Sequence, residues 1–295
     1  MTDSTTTVGC ALGGGGVRGL AHVLALETID ACGIRPTMMA GTSMGAIIAA
    51  FYAAGWSGER IHAFIDQHII AQGDSLRTIY PKRKGLLKWM SAFGLSLRGH
   101  GLLKAERMLK YLLTSIEAET FEDLALPLRV VATDFHTGEA RVFSEGPLLP
   151  AILASISIPG IFVPVTYEGH ILVDGGVVNN LPYDLLAEDC AYTIAVDVIP
   201  EPEEASAESP NMVDAILGML DVMVAEITAQ KLERQPPSVY HCPRLSGIRT
   251  LDFFKAGEVL AQAEPNMVDF RQALEALPMA GTGTGAGAGD EGKDK

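Results

Sequence analysis

The sequence predicts an α/β protein whose mostly parallel sheet is covered by helices on both faces. Short apolar runs alternate with stretches of helical apolar spacing, and the first two such pairs are each joined by a glycine-rich turn. In addition, 48% of the 295 residues are hydrophobic, enough for one large core.

The first run, Val8 to Leu12, enters Gly13-Gly14-Gly15-Gly16, after which Arg18 to Ala31 has helical spacing and stops at Gly33. The order is strand, glycine loop, helix. A second unit has Thr37-Met38-Met39-Ala40 as a strand, Gly41-Thr42-Ser43-Met44-Gly45 as a turn, and Ala46 to Ala54 as a small-residue helix ended by Gly55. Two successive βα units favour parallel strands with both sheet faces covered. Further strands are expected at Leu128 to Thr133, Arg141 to Phe143, Ile171 to Val173 and Thr193 to Val198, giving at least five. A helix is expected near Pro150 to Ser157, closed by Ile158-Pro159-Gly160. An exposed link from Pro200 to Ser206 precedes a helical stretch from Met212 to Leu232. One domain over 8–278 is expected, with tails at 1–7 and 279–295 too polar or too small in side chain to bury anything.

Charge narrows the function. Lys and Arg number 22 against 36 for Asp and Glu, and a net charge of −14 argues against nucleic-acid binding, which needs cations to replace phosphate counterions. Cys10, Cys32, Cys190 and Cys242 form no C-x-x-C pair, and no histidines sit at metal-ligand spacing, so neither a disulfide framework nor a structural zinc is expected. Met1 to Thr7 carries no Lys or Arg ahead of an apolar run, and no apolar stretch reaches the roughly 20 residues that span a bilayer. The expectation is a soluble, cytoplasmic protein. Within this acidic chain, Lys82 to Lys110 holds eight Lys or Arg residues against Glu106 alone, interleaved with Leu86, Leu87, Trp89, Met90, Phe93, Leu95 and Leu97. Such a stretch suits a lid or a peripheral contact with an anionic membrane surface, and it equally suits a solvated helical pair on the core.

Gly41-Thr42-Ser43-Met44-Gly45 fits G-x-S-x-G, with a strand leading in and a helix leading out. That turn presents a serine hydroxyl at the sheet edge, and the helix start offers amide dipoles to a developing negative oxygen. The bland alternative is a helix N-cap serine. The glycine run also opens a helix, so its N–H groups are candidates for cradling an anion. Gly14-x-Gly16-x-x-Gly19 satisfies a dinucleotide pattern, but the acid that pattern expects at the end of the second strand is replaced by the serine turn. An oxyanion fits better, with Arg18 as a further positive group or a surface helix residue.

A serine needs a base. None of His22, His62, His68, His100, His136, His170 and His241 has distinguishing context. Asp174 does: Ile171-Leu172-Val173-Asp174-Gly175-Gly176 ends a buried strand with a carboxylate and two glycines, which lets acid and backbone approach another loop. It lies at the sheet edge of Ser43 if the strands are parallel. A free Asp is a weak base for a hydroxyl, so this role requires desolvation or tight hydrogen bonding. The alternative is a plain Asp-Gly turn, and Asp134 is a rival strand-end acid.

In chain order, the glycine loop ending in Arg18-Gly19, Gly41-Thr42-Ser43-Met44-Gly45, and Asp174-Gly175-Gly176 resemble the three signature blocks of the patatin-like phospholipase family. Val131-Ala132-Thr133-Asp134, Ala154-Ser155-Ile156-Ser157-Ile158-Pro159 and Leu251-Asp252-Phe253 resemble bacterial members. The resemblance implies a three-layer α/β/α sandwich and a lipid acyl hydrolase acting on fatty-acyl esters through a Ser-Asp dyad, with no metal or cofactor. Carried over, Ser43 is the nucleophile, Asp174 the base, Gly14, Gly15 and Gly16 the oxyanion donors, and Arg18 the basic residue of their block. The loop has four glycines where the family usually has three. Two other readings remain open: an α/β-hydrolase with a Ser43-Asp174-His241 triad, and a non-catalytic regulatory protein retaining the fold.

Overall fold

A computed structural model describes residues 6–70, 101–200 and 212–278. The strands are β1 (Val8–Leu12), β2 (Met38–Thr42), β3 (Leu128–Asp134), β4 (Ala140–Phe143), β5 (Val165–Tyr167), β6 (His170–Asp174), β7 (Tyr192–Val196) and β8 (Val239–His241). The α-helices are α1 (His22–Ala31), α2 (Met44–Ala53), α3 (Gly58–Ile65), α4 (Gly101–Thr114), α5 (Leu148–Ser155), α6 (Gly176–Asn179), α7 (Met212–Arg234), α8 (Ala256–Ala263) and α9 (Met267–Glu275). Residues 82–100 of the basic stretch, the link at 201–211 and nearly all of both tails lie outside the described residues.

The sheet has eight strands in the order β5-β6-β3-β2-β1-β7-β8, with β4 also on β3. The five strands from β3 to β8 run parallel, as expected. The edge formed by β4, β5 and β6 is antiparallel. Side chains alternate across β1: Val8, Cys10 and Leu12 enter the main core, while Ala11 joins Ala40 and Ala195 on the other face. Those small residues let the 3-10 turn Pro182–Leu186 pack closely, with Leu181, Tyr183 and Leu186 buried against them. The result is the α/β sandwich the sequence predicts, one outer layer thick and the other thin.

Several boundaries moved for local reasons. The first helix opens as a 3-10 turn over Gly16–Ala21 and becomes α-helical only at His22. β2 runs on through Gly41 and Thr42, which pair with β3 at Val130 and Val131. β7 stops at Val196 because the Asp197 carboxylate accepts the N–H groups of Val198 and Ile199 and turns the chain. β5 and β8, of three residues each, are too short to show alternation and were not expected.

Candidate active site

Ser43 sits between β2 and α2 at φ 54° and ψ −123°, a region that costs a non-glycine residue roughly 1–3 kcal/mol. The chain there is held from several sides. The Ser43 N–H donates to the buried Ser155 Oγ at 2.8 Å, and the Thr42 hydroxyl to the Asn179 carbonyl at 2.9 Å. A Cβ on Gly45 would lie 2.1 Å from the Leu12 carbonyl oxygen, so only glycine lets the start of α2 cross β1 so closely.

Asp174 reaches Ser43 by a route the sequence did not predict, since β6 runs antiparallel to β3. Thr42 pairs with Val131 and Asp174 with Ala132, while β4 pairs with both from the opposite edge of β3. β2 and β6 therefore share one edge of β3 and meet end to end at their C-termini. Gly175 fills the junction: a Cβ there would lie 2.2 Å from the Val131 carbonyl oxygen and 3.1 Å from Thr42 Cγ2. The Asp174 N–H donates to the Ser157 carbonyl, and its own carbonyl accepts the Thr133 hydroxyl, both at 2.9 Å. The end of α5 thus holds Ser43 through Ser155 and Asp174 through Ser157.

Burial pushes the Asp174 carboxyl up to about 6, against the opposing pull of the Gly176 N–H, 2.7 Å from Oδ1, and of the Ser43 hydroxyl. The weak base expected of a free Asp is thereby strengthened by desolvation, with Ser43 lining the same cleft.

The glycine loop crosses the same spot. Gly13 N–H donates to the Val196 carbonyl and Gly14 N–H to the Asn180 carbonyl, whereas those of Gly15 and Gly16 take no acceptor among the described residues. Of the three expected donors, Gly14 is thus already engaged. Asn180, buried, also donates its Nδ2 to the Gly14 carbonyl at 3.1 Å, so one residue grips both sides of that glycine. Arg18 is buried behind the loop rather than at the surface: Nε donates to the Gly15 carbonyl, and Nη2 to Asp221 Oδ2 at 2.8 Å and Thr250 Oγ1 at 2.9 Å. Its charge is matched by Asp221 of α7.

Gly14, Gly15, Gly16, Ser43 and Asp174 line one cleft of about 500 Å³, open solvent included. Its other walls are mainly apolar, from Ile158, Val177, Ile199 and the α7 residues Leu217, Leu220 and Val224. Asp221 carries no local motif; Asn179-Asn180 four residues beyond Gly175-Gly176 was a visible signal for Asn180, and Ser155 lies in the Ala154 to Pro159 segment without a role assigned to it.

His241 is not with this group. It lies on β8, three ladder positions from β2, about 14 Å at ~4.8 Å per strand, and it stacks on Phe270 with centroids 4.4 Å apart. The Ser43-Asp174-His241 triad therefore does not assemble. Burial pushes the His241 imidazole down to about 4. His22 Nε2 donates to the Gly13 carbonyl at 2.8 Å, and burial lowers that imidazole to about 4 as well. Asp134 closes a turn by accepting the N–H groups of His136 and Thr137 and pairs with His170 at 2.6 Å, away from the cleft. Among the described residues no cluster of His, Cys, Asp or Glu has the makings of a metal site.

Residues 10–187 match the family model described as patatin-like phospholipase. An uncharacterized NTE family protein of Mycobacterium tuberculosis is 34% identical over 197 residues, covering 66% of this chain and 50% of that protein. Patatin-like phospholipase domain-containing protein 7 of Rattus norvegicus is 31% identical over 194 residues, 65% of this chain and 13% of its own. The chain thus spans half or less of the length of these curated relatives. VipD from Legionella pneumophila, at 15% identity, shares the fold with a TM-score of 0.50 over 91% of this chain and 67% of its own. With the three glycine-bearing blocks converging on one cleft and the family model covering more than half of the sequence, the chain belongs to the patatin-like phospholipase family.

Proposed function

We propose that this chain is a serine lipid acyl hydrolase that works through a Ser43-Asp174 dyad and an acyl-enzyme intermediate. The observation that carries the reading is the buried Asp174 carboxyl, which lines one cleft with a serine held at a strained strand-helix turn and which burial pushes up to about 6. At neutral pH Asp174 is a carboxylate and takes the Ser43 proton as Oγ attacks the ester carbonyl carbon. The carbonyl π electrons move onto oxygen, and the unengaged N–H groups of Gly15 and Gly16 are the donors for that oxyanion. Collapse of the tetrahedral species expels the alkoxide, which recovers the proton from Asp174. Water then attacks the acyl-Ser43 ester, again giving its proton to Asp174, and the fatty acid leaves as the proton returns to Ser43 Oγ. Arg18 acts by fixing the Gly15 peptide rather than by touching substrate. The apolar wall from Leu217, Leu220 and Val224 fits an acyl chain.

The unit doing this is the 8–278 domain, acting in the cytoplasm, with the Lys82 to Lys110 stretch as a peripheral contact to anionic membrane surfaces. Hydrolysis of p-nitrophenyl butyrate and of a phospholipid is the test. Ser43→Ala and Asp174→Asn are each expected to lower kcat by at least about a thousandfold. Full activity in either variant refutes the dyad.

A further inference from the structure

The long helix α7 is apolar on two faces. Inward, Leu217, Leu220 and Val224 wall the cleft. Outward, Met212, Ile216, Met219, Met223 and Ile227 fall on one stripe at steps of three and four residues and are 41–77% exposed. A helix that is oily on the side away from the core has a second environment to satisfy. We propose that this outer stripe docks on an electrically neutral, zwitterionic lipid surface and brings acyl chains to the rim of the cleft, an inference that rests on the lipid hydrolase reading above.

Two observations choose the occupant. The first is continuity: the stripe and the cleft wall are adjoining sides of one helix, so a lipid leaving a bilayer along α7 stays on apolar surface until it meets Ser43. The second is charge. From Met212 to Ala225 the helix carries only Asp214 and Asp221, and both turn to the opposite flank, where they pair with Arg249 and Arg18. The outer stripe is therefore uncharged from Met212 to Ala225, and exposed Glu226, beside Ile227, marks where that uncharged length ends in a chain of net charge −14. A second copy would bring its own −14, whereas a zwitterionic surface brings no net charge to the uncharged stripe, and contact with anionic lipid is left to the Lys82 to Lys110 stretch. The methionines suit it, being flexible enough to fit an irregular apolar surface. No helix among the described residues is long and apolar enough to cross a membrane, so α7 would lie in the interface plane.

The experiment is co-sedimentation of the full chain with phosphatidylcholine vesicles free of anionic lipid. The comparison is with a variant carrying Ile216→Ser, Met219→Ser and Met223→Ser, none of which lines the cleft. Wild type is expected to partition onto the vesicles and the triple variant on the order of tenfold or more weakly. Its hydrolysis of p-nitrophenyl butyrate is expected to stay within about twofold. If the triple variant fails to fold, Met223→Glu alone gives the same readout. Equal binding by the variants, or no binding by wild type, overturns the docking surface. So does a wild-type dimer in sedimentation velocity that the variant converts to monomer, because the stripe then belongs to a second copy. Ser43→Ala separates the two readings: retained vesicle binding with lost hydrolysis upholds both. Hydrolysis that survives Ser43→Ala refutes the catalytic reading and leaves the docking surface to its own result.

Discussion

Replacing Asp174 by Asn is expected to stabilise the fold while abolishing turnover. The Asp174 carboxyl is held at about 6 by burial, against 3.8 for an ordinary Asp. Below pH 3.8 the group is protonated in both folded and unfolded chains and contributes nothing. As pH rises, the unfolded chain ionises first and stability is lost up to about pH 6, above which the loss is constant. At about 1.4 kcal/mol per pH unit, that interval corresponds to about 3 kcal/mol at pH 7. Asn keeps the shape and can still accept from Gly176 N–H, so removing the charge is expected to raise Tm by up to roughly 5–10 °C at pH 7. The right readout is the difference between variant and wild type measured by thermal unfolding from pH 4 to 8. The absolute curve is mixed, because buried His22 and His241, lowered from 6.5 to about 4, lose stability as pH falls through the same window. The difference should be near zero at pH 4, grow through pH 5 and level off above 6. A variant equally stable or less stable than wild type at pH 7 refutes the claim that Asp174 is desolvated at a cost to the fold.

Ser155→Ala leaves the Ser43 N–H buried without its acceptor, which is expected to cost about 1–3 kcal/mol in urea unfolding and to lower kcat about tenfold with KM unchanged. An unchanged kcat would mean that the serine turn needs no such support. His241→Ala is expected to lose about 2–3 kcal/mol of stability from its packing on Phe270. It should keep p-nitrophenyl butyrate turnover within about twofold at 20 °C, and a loss of several orders of magnitude would restore the triad.

Much of this was legible because the signals are local. The turn around Ser43 is written in five residues, with a strand before and a helix after, and the fold class follows from repeated βα units. Asp174 was visible because two glycines follow it at a strand end. The direction of β6 was not, since it is set by pairing with β3 some 40 residues earlier, and no periodicity encodes it. Arg18 stayed open between the oxyanion and the surface for the same reason: its partner Asp221 lies 203 residues along the chain. Ser155 and Asn180 act through hydrogen bonds to backbone 112 and 166 residues away, so the partner of each could not be read from its own neighbourhood. The expectation for residues 82–100 falls outside the described chain.

The most direct measurement of the Ser43-Asp174 pairing is the rate of labelling by a fluorophosphonate as a function of pH, with the adduct located by peptide mass mapping. The adduct is expected on Ser43, with a rate rising through a midpoint near pH 6, the value set by buried Asp174, and nearly absent in Asp174→Asn. An adduct on another residue, or a Ser43 rate that Asp174→Asn leaves untouched, would contradict it.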